Sequence, residues 1–250
     1  MNSIEKKLRK ATNKYSVDQS ICRVVPKKVF APENTQDIKD LVRYVLDHEH
    51  DNPDYSLTVR AGGTCMSGGP LNKGIIIDVC EHLHNIGEYI PEDQTLHVEG
   101  GAWYRDVETH LEKKDRMFAS YTSSKDICSV GGMIGNNASG EKSFRYGATR
   151  DNVHSVSMVC GDGNEYTFEP LSTKELGEKM NQNNFEGDIY CKLHKLYTEN
   201  SETIQKEIPS TKKNTAGYAL NTIYDKENDV WNLAKLIVGS QGTLGIITGA

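Results

Sequence analysis

Arg60-Ala-Gly-Gly-Thr-Cys-Met-Ser-Gly-Gly-Pro70 is followed closely by Gly74-Ile-Ile-Ile-Asp-Val79. The first segment opens where Leu57 and Val59 alternate with polar neighbours, the pattern of a half-buried strand. The second is a continuous apolar run, the pattern of a buried strand. A loop this rich in small residues lets several backbone N–H groups converge on one concavity, which suits a diphosphate, and the Thr64 and Ser67 hydroxyls add donors. Two common phosphate motifs are excluded. A P-loop needs Lys after its final glycine, and here Gly68 is followed by Gly69-Pro70. A dinucleotide fingerprint turns from strand into helix, whereas this loop runs into a strand. A wide glycine-rich hairpin loop with no ligand accounts for the same residues.

Upstream, the first 61 residues contain none of the 22 glycines. Lys27–Phe30 reads as a short strand ending at Ala31-Pro32. Asn34 or Thr35 caps a helix over 36–48, whose Ile38, Leu41, Val42, Val45 and Leu46 form one stripe. The polar stretch from His48 to Pro53 ends it. Downstream, residues 95–101 alternate as a strand, and 103–114 place Trp103, Val107 and Leu111 on one helical face. Residues 155–168 read as a hairpin turning at Asp162-Gly163. A helix is expected over 188–199, an exposed polar loop over 201–215, a helix near 229–237 and a strand after Gly245. The fold class is α+β, with a 1–20 extension, a small subdomain over 21–90 and a larger one over 91–250.

The chain has 250 residues, 29 Lys+Arg and 35 Asp+Glu, a net charge of −6. That balance argues against sequence-independent nucleic-acid binding. No apolar run is long enough for a membrane-spanning helix. The start, MNSIEKKLRK, has no apolar core of a secretory signal, so a cytoplasmic location is expected. The six cysteines are dispersed with no CxxC pair, which fits reduced thiols and excludes zinc-ribbon and thioredoxin readings. His82 and His84, near Asp78 and Glu81, fit two-sided exposure better than a metal site, and no metal is expected.

Two further clusters repeat the small-residue theme. Ser129-Val-Gly-Gly-Met-Ile-Gly-Asn-Asn-Ala-Ser-Gly140 offers neutral amides able to bond a polar ring edge. Gly239-Ser-Gln-Gly-Thr-Leu-Gly245 again precedes an apolar strand. Three separate segments point to one extended ligand.

With Arg145-Tyr-Gly147 and Lys213-Asn-Thr-Ala-Gly-Tyr218, these segments occur in an order that resembles the FAD-binding domain of the vanillyl-alcohol oxidase/p-cresol methylhydroxylase (PCMH) superfamily. The chain looks most like its D-lactate dehydrogenase, glycolate oxidase and D-2-hydroxyglutarate dehydrogenase branch. The resemblance implies a PCMH-type fold of two α/β subdomains without the C-terminal substrate (cap) domain. It implies that Ala61, Gly62, Gly63, Thr64, Cys65, Met66 and Ser67 form the first pyrophosphate loop. Residues 122–132 form the second FAD-contacting segment, with Ser123, Ser124, Ser129, Gly131 and Gly132 as its contacts. Asn136, Ala138, Ser139 and Gly140 approach the ribityl or isoalloxazine part. Gly242, Thr243, Gly245, Ile246 and Ile247 pass the adenine side. Lys125 and Arg145 are weighed as helpers for anionic groups against plain surface charge.

Members that attach FAD covalently carry a His where this chain has Thr64, so the resemblance implies non-covalent FAD. It implies an oxidoreductase acting on a small 2-hydroxy acid, its catalytic residues unknown and its apparatus incomplete in this stretch. The alternatives are a non-catalytic FAD-binding subunit completed by a partner chain that supplies the cap, and another superfamily member such as an enolpyruvyl-sugar reductase.

Overall fold

The computed structural model describes residues 3–48, 55–209, 211 and 214–250. The expected polar stop after His48, and Lys213, lie largely or wholly outside them. Helix α1 (Ser3–Lys7) leads into strand β1 (Arg9–Lys10), and β2 (Lys28–Phe30) follows. Helix α2 (Thr35–His48) begins where Asn34 Oδ1 accepts the Asp37 N–H at 3.1 Å, so Asn34 supplies the cap. Strands β3 (Leu57–Arg60) and β4 (Ile75–Asp78) complete a sheet of order β1-β2-β4-β3, in which β2, β4 and β3 are parallel. The glycine-rich connection therefore joins two parallel strands and is not a hairpin loop.

Parallel strands are covered on both faces, and the isoleucine run shows it. Ile75 and Ile77 pack under Ile38, Leu41 and Val42 of α2, while Ile76 faces Tyr15 and Val29 on the other side. Residues 13–16, a turn of 3-10 helix, thus belong to this layer. Lys7 ties α1 to α2 through Asp37 at 2.7 and 2.8 Å.

The second layer starts with the hairpin β5 (Ile86–Ile90) and β6 (Thr95–Val98), then helices α3 (Tyr104–Glu112) and α4 (Val130–Asn136). Strands β7 (Val156–Val159) and β8 (Glu165–Phe168) form the expected hairpin. Strand β9 (Pro170–Ser172), helix α5 (Thr173–Met180), helix α6 (Phe185–Lys206), strands β10 (Tyr224–Asp225) and β11 (Val230–Asn232), the short helix α7 (Ala234–Ile237) and strand β12 (Ile246–Gly249) complete the chain. β12 pairs with β7, and reciprocal Val98–Ala250 backbone bonds of 2.8 and 2.9 Å attach it to β6. The two hairpins and β12 thus make one antiparallel surface. Val159 and Ile246 turn from it into the α2 core, joining the layers.

The second glycine cluster is helical over Val130–Asn136, where Gly131 lies against the Gly100 carbonyl. Two expectations need correction. The helix expected near 229–237 is strand β11 followed by one helical turn. Trp231 is held between Leu171 and Tyr224 in the sheet, and Asn232 Oδ1 accepts the Ala234 N–H at 2.9 Å to start the turn. The expected loop over 201–215 is helical as far as Lys206. That helix starts at Phe185, capped by Asn184 Oδ1 on Gly187 N at 2.8 Å.

The layers meet backbone to backbone at Gly100-Gly101. Gly101 N donates to Leu83 O at 2.8 Å, Gly100 N to Thr248 O at 2.9 Å, and Gly131 N to Gly100 O at 2.7 Å. A Cβ on Gly101 would strike the carbonyls of Val79 and Leu83. Gly101→Ala is expected to destabilise the chain by about 3 kcal/mol through overpacking against rigid backbone, measured as a lower urea midpoint at unchanged m-value.

Candidate cofactor cleft

A cleft of about 440 Å³ opens between the layers. Its floor and one wall come from Val59, Val79 and the loop after β3. The other wall is Thr122–Ser124, Cys128, Ser129 and the glycine face of α4, with Gln241, Gly242, Gly245 and Ile247 closing one end. The first loop can approach because Gly62 has no side chain. A Cβ there would meet the carbonyl oxygen of Ile127. Gly63 sits at φ +70°, the left-handed region that glycine enters without strain. Among the described residues, the backbone N–H groups of Gly62, Gly63 and Thr64 donate to no protein acceptor. They remain available to a ligand.

The third cluster is fastened to the second. Gly239 N donates to Ile134 O and Gln241 N to Gly135 O, both at 2.8 Å, and Gln241 Nε2 reaches Asn136 Oδ1 at 3.0 Å. Asn137, left-handed at φ 46°, ends α4 and holds Arg150 N on its Oδ1 at 3.0 Å. The end of the cleft is therefore a single hydrogen-bonded unit made from residues a hundred positions apart in the chain.

The structure brings together Ala61, Gly62, Gly63, Thr64, Cys65, Met66, Ser67, Ser123, Ser124, Ser129, Gly131, Gly132, Asn136, Ala138, Gly242, Gly245 and Ile247 around this space. Ser139, Gly140, Thr243 and Ile246 do not line it. Gly140 is small because the Tyr121 carbonyl lies against it, Thr243 Oγ1 donates to Ser240 O at 2.6 Å, and Ile246 is in the α2 core. Lys125 is paired with Glu108 at 2.9 Å, and Arg145 lies over the Tyr146 ring, so neither reaches the cleft. Thr122, in the expected 122–132 segment, does line the cleft. Sequence reasoning did not single out Gly69, Pro70, Met133, Gly135 and Gln241 as contacts, nor the apolar floor of Val59 and Val79. Their signal was adjacency to the glycine clusters.

No lining residue is Asp, Glu, Lys, Arg or His. The titratable lining groups are the thiols of Cys65 and Cys128. Burial pushes the Cys128 thiol above its ordinary range, and pushes Cys80 up to about 11 and Cys160 up to about 12. Among the described residues no group of His, Cys, Asp and Glu could hold a metal ion. His82 instead lies beside Glu81, which Arg9 grips at 2.7 Å.

Comparison with known proteins agrees with this geometry. Residues 26–169 match the family model described as FAD binding domain, more than half of the chain, and the chain belongs to that family. It is 31% identical to the D-2-hydroxyglutarate dehydrogenase of Escherichia coli over 236 residues, 94% of this chain and 23% of that protein. It is 27% identical to a glycolate oxidase subunit of Bacillus subtilis, covering 90% of this chain and 36% of that one. The chain thus spans well under half the length of these relatives. Among solved structures, alkyldihydroxyacetonephosphate synthase superposes with a TM-score of 0.63 at 16% identity, over 98% of this chain and 37% of that one, a likeness of fold. The class is a PCMH-type FAD-binding fold whose curated relatives are oxidoreductases.

Since the buried thiols stay protonated at neutral pH and the thiolate is the nucleophile, iodoacetamide at about pH 7.5 is expected to label exposed Cys22 and to spare Cys128 and Cys160. Peptide mass spectrometry reads the difference. Raising the pH exposes thiolate at the buried sites last.

Proposed function

We propose that the cleft binds FAD non-covalently and that the chain is the FAD-holding part of an oxidoreductase acting on a small 2-hydroxy acid of the D-lactate, glycolate or D-2-hydroxyglutarate class. The observation that carries the ligand is Gly135. A Cβ there meets no protein atom within 4 Å, and its φ is not in the left-handed region, so the chain's own packing does not demand glycine. It lines the cleft in the last turn of α4, whose left-handed capping position is taken by Asn137, so the helix end does not call for glycine there either. A ligand lying against α4 explains it.

The residues present fit FAD. We assign the diphosphate to Ala61–Ser67, with the free N–H groups of Gly62, Gly63 and Thr64 as donors. Ser123, Ser124, Ser129, Gly131 and Gly132 form the facing wall, and Asn136 and Ala138 the flavin side. Gly242, Gly245 and Ile247 form the adenine side. Bound FAD would accept a hydride from the α-carbon of the substrate. Removing the hydroxyl proton needs a base near its operating pKa, and no lining residue of the cleft supplies one. The chain alone is therefore read as incomplete for turnover, with the base and substrate pocket supplied elsewhere in the enzyme or by a partner chain. The passage of the chain from the parallel layer to the antiparallel one, just before β5 (Ile86–Ile90), supports a small and a larger subdomain dividing near residue 90. Free cysteines and no helix long and apolar enough to cross a membrane, among the described residues, support a cytoplasmic setting.

Titration should quench flavin fluorescence, and acid precipitation should release all the flavin into the supernatant. Flavin left on the pellet would mean covalent attachment. With D-lactate or D-2-hydroxyglutarate and a dye acceptor, the chain alone should show no turnover. Gly135→Ala is expected to weaken FAD binding about tenfold by placing a methyl in its path. It should also leave the free chain as stable or stabilise it by up to about 1 kcal/mol.

A further inference from the structure

A dianionic diphosphate in this cleft meets no charged side chain, because the lining is neutral throughout. The nearest wall nevertheless hides a cation. Arg60 ends β3 and directly precedes the loop. It is 6% exposed, and its guanidinium lies behind Gly63, where a Cβ on that glycine would collide with it. Among the described residues its one hydrogen-bond acceptor is Val17 O, at 2.9 Å from Nη1. The Tyr15 ring lies 5.9 Å from the guanidinium carbon.

Its neighbour across the ladder, Asp78, is 2% exposed and already engaged. Lys14 Nζ approaches Asp78 Oδ2 at 3.1 Å and Tyr15 OH donates to the same oxygen at 2.9 Å. Burial, which opposes the charge of Lys14, is outweighed by Asp78, so the Lys14 pKa rises. Asp78 thus neutralises one of the two cations, and the group keeps a net positive charge. A buried charge without a counter-charge is unfavourable. Among the described residues no carboxylate pairs with Arg60, and its charge faces the back of the loop whose front presents free N–H groups.

We propose that Arg60 is the built-in counter-charge for the ligand's diphosphate, acting across Gly63 without touching it. It therefore selects phosphorylated flavin and adenine nucleotides over the uncharged ring system. This rests on the assignment of Ala61–Ser67 to the diphosphate. Arg60 is a positioning and electrostatic residue, because the Gly63 backbone stands between it and the cleft. The arrangement also explains Gly63. The backbone must turn left-handed there, and the space a side chain would take is filled by the guanidinium.

The test measures dissociation constants of FAD, ADP and riboflavin for the unaltered chain, Arg60→Met, Arg60→Lys and Asp78→Asn. Arg60→Met should weaken FAD and ADP by about tenfold to a hundredfold and leave riboflavin unchanged. Arg60→Lys should restore most of the loss, and Asp78→Asn, which adds net positive charge, should tighten FAD and ADP alone. Equal weakening of riboflavin, or no change for FAD, overturns the proposal in favour of a purely structural arginine. Should Arg60→Met fail to fold, Asp78→Asn decides: no gain for FAD and ADP overturns it. If the unaltered chain binds ADP and FAD no better than riboflavin, the diphosphate assignment falls and the proposal falls with it.

Discussion

The contact on which the rest of the molecule depends is the main-chain junction at Gly100-Gly101. Strand β12 accepts Gly100, the turn after β4 accepts Gly101, and α4 hangs from the Gly100 carbonyl. The Gly101 bond ties the two layers together, and the other two hold β12 and α4 to the same junction. The cleft is the space left between the layers, so backbone contacts at this junction limit its width, with Val159 and Ile246 packed into the α2 core beside them. Side-chain packing tolerates small adjustments of rotamer, whereas carbonyl against Cα does not. A ligand site built this way is held open before the ligand arrives, which lowers the ordering that binding requires.

The electrostatics follow the same division of labour. Side chains facing the cleft are neutral and small, while charge is kept one layer back. Arg60 lies behind the first loop. Behind the third cluster Arg150 donates to Lys235 O at 2.9 Å and to Val238 O at 2.6 Å, and its guanidinium takes the space beside Gly239. Burial lowers the pKa of Arg150, and of Lys235, whose ammonium donates to Arg150 O at 2.6 Å. Neither changes the neutral surface that the ligand meets. A neutral wall admits a long ligand with both apolar and anionic parts, and buried cations bias where its anionic part lies.

What the sequence made legible follows from how local each signal was. The stripe of α2, the alternation of β6 and the Asp-Gly turn between β7 and β8 are periodic or turn-specific, and each is where it was expected. β11 was misread because Val230, Leu233, Ala234 and Ile237 imitate helical spacing. The decisive fact, Trp231 pairing with Leu171 and Tyr224, is non-local. Helix α5 had a readable start in Ser172-Thr-Lys-Glu175, whose side chains cap each other's backbone, and it was passed over. The cleft was legible as three clusters because small residues stand out in sequence. Its exact membership was not, since whether Ile246 or Ile247 faces the cleft depends on strand register.

The glycines show why composition alone could not separate scaffold from site. Gly62, Gly100, Gly101, Gly131 and Gly140 are each opposed by a carbonyl of the chain itself, so their smallness is explained by folding. Gly63 and Gly147 have positive φ and a side chain filling the missing Cβ position, which again is internal. Gly135 has neither reason, as is true of Gly161 and Gly177, but of these three it alone lines the cleft. Glycine-rich sequence in this fold is thus mostly a record of layers pressed together, and an unexplained glycine bears on a ligand where it also faces the cleft. Applied to the cleft, that criterion points to the outer face of α4 as the surface against which the ligand lies. The first loop, whose glycines serve the fold, contributes its N–H groups and the charge of Arg60 behind them.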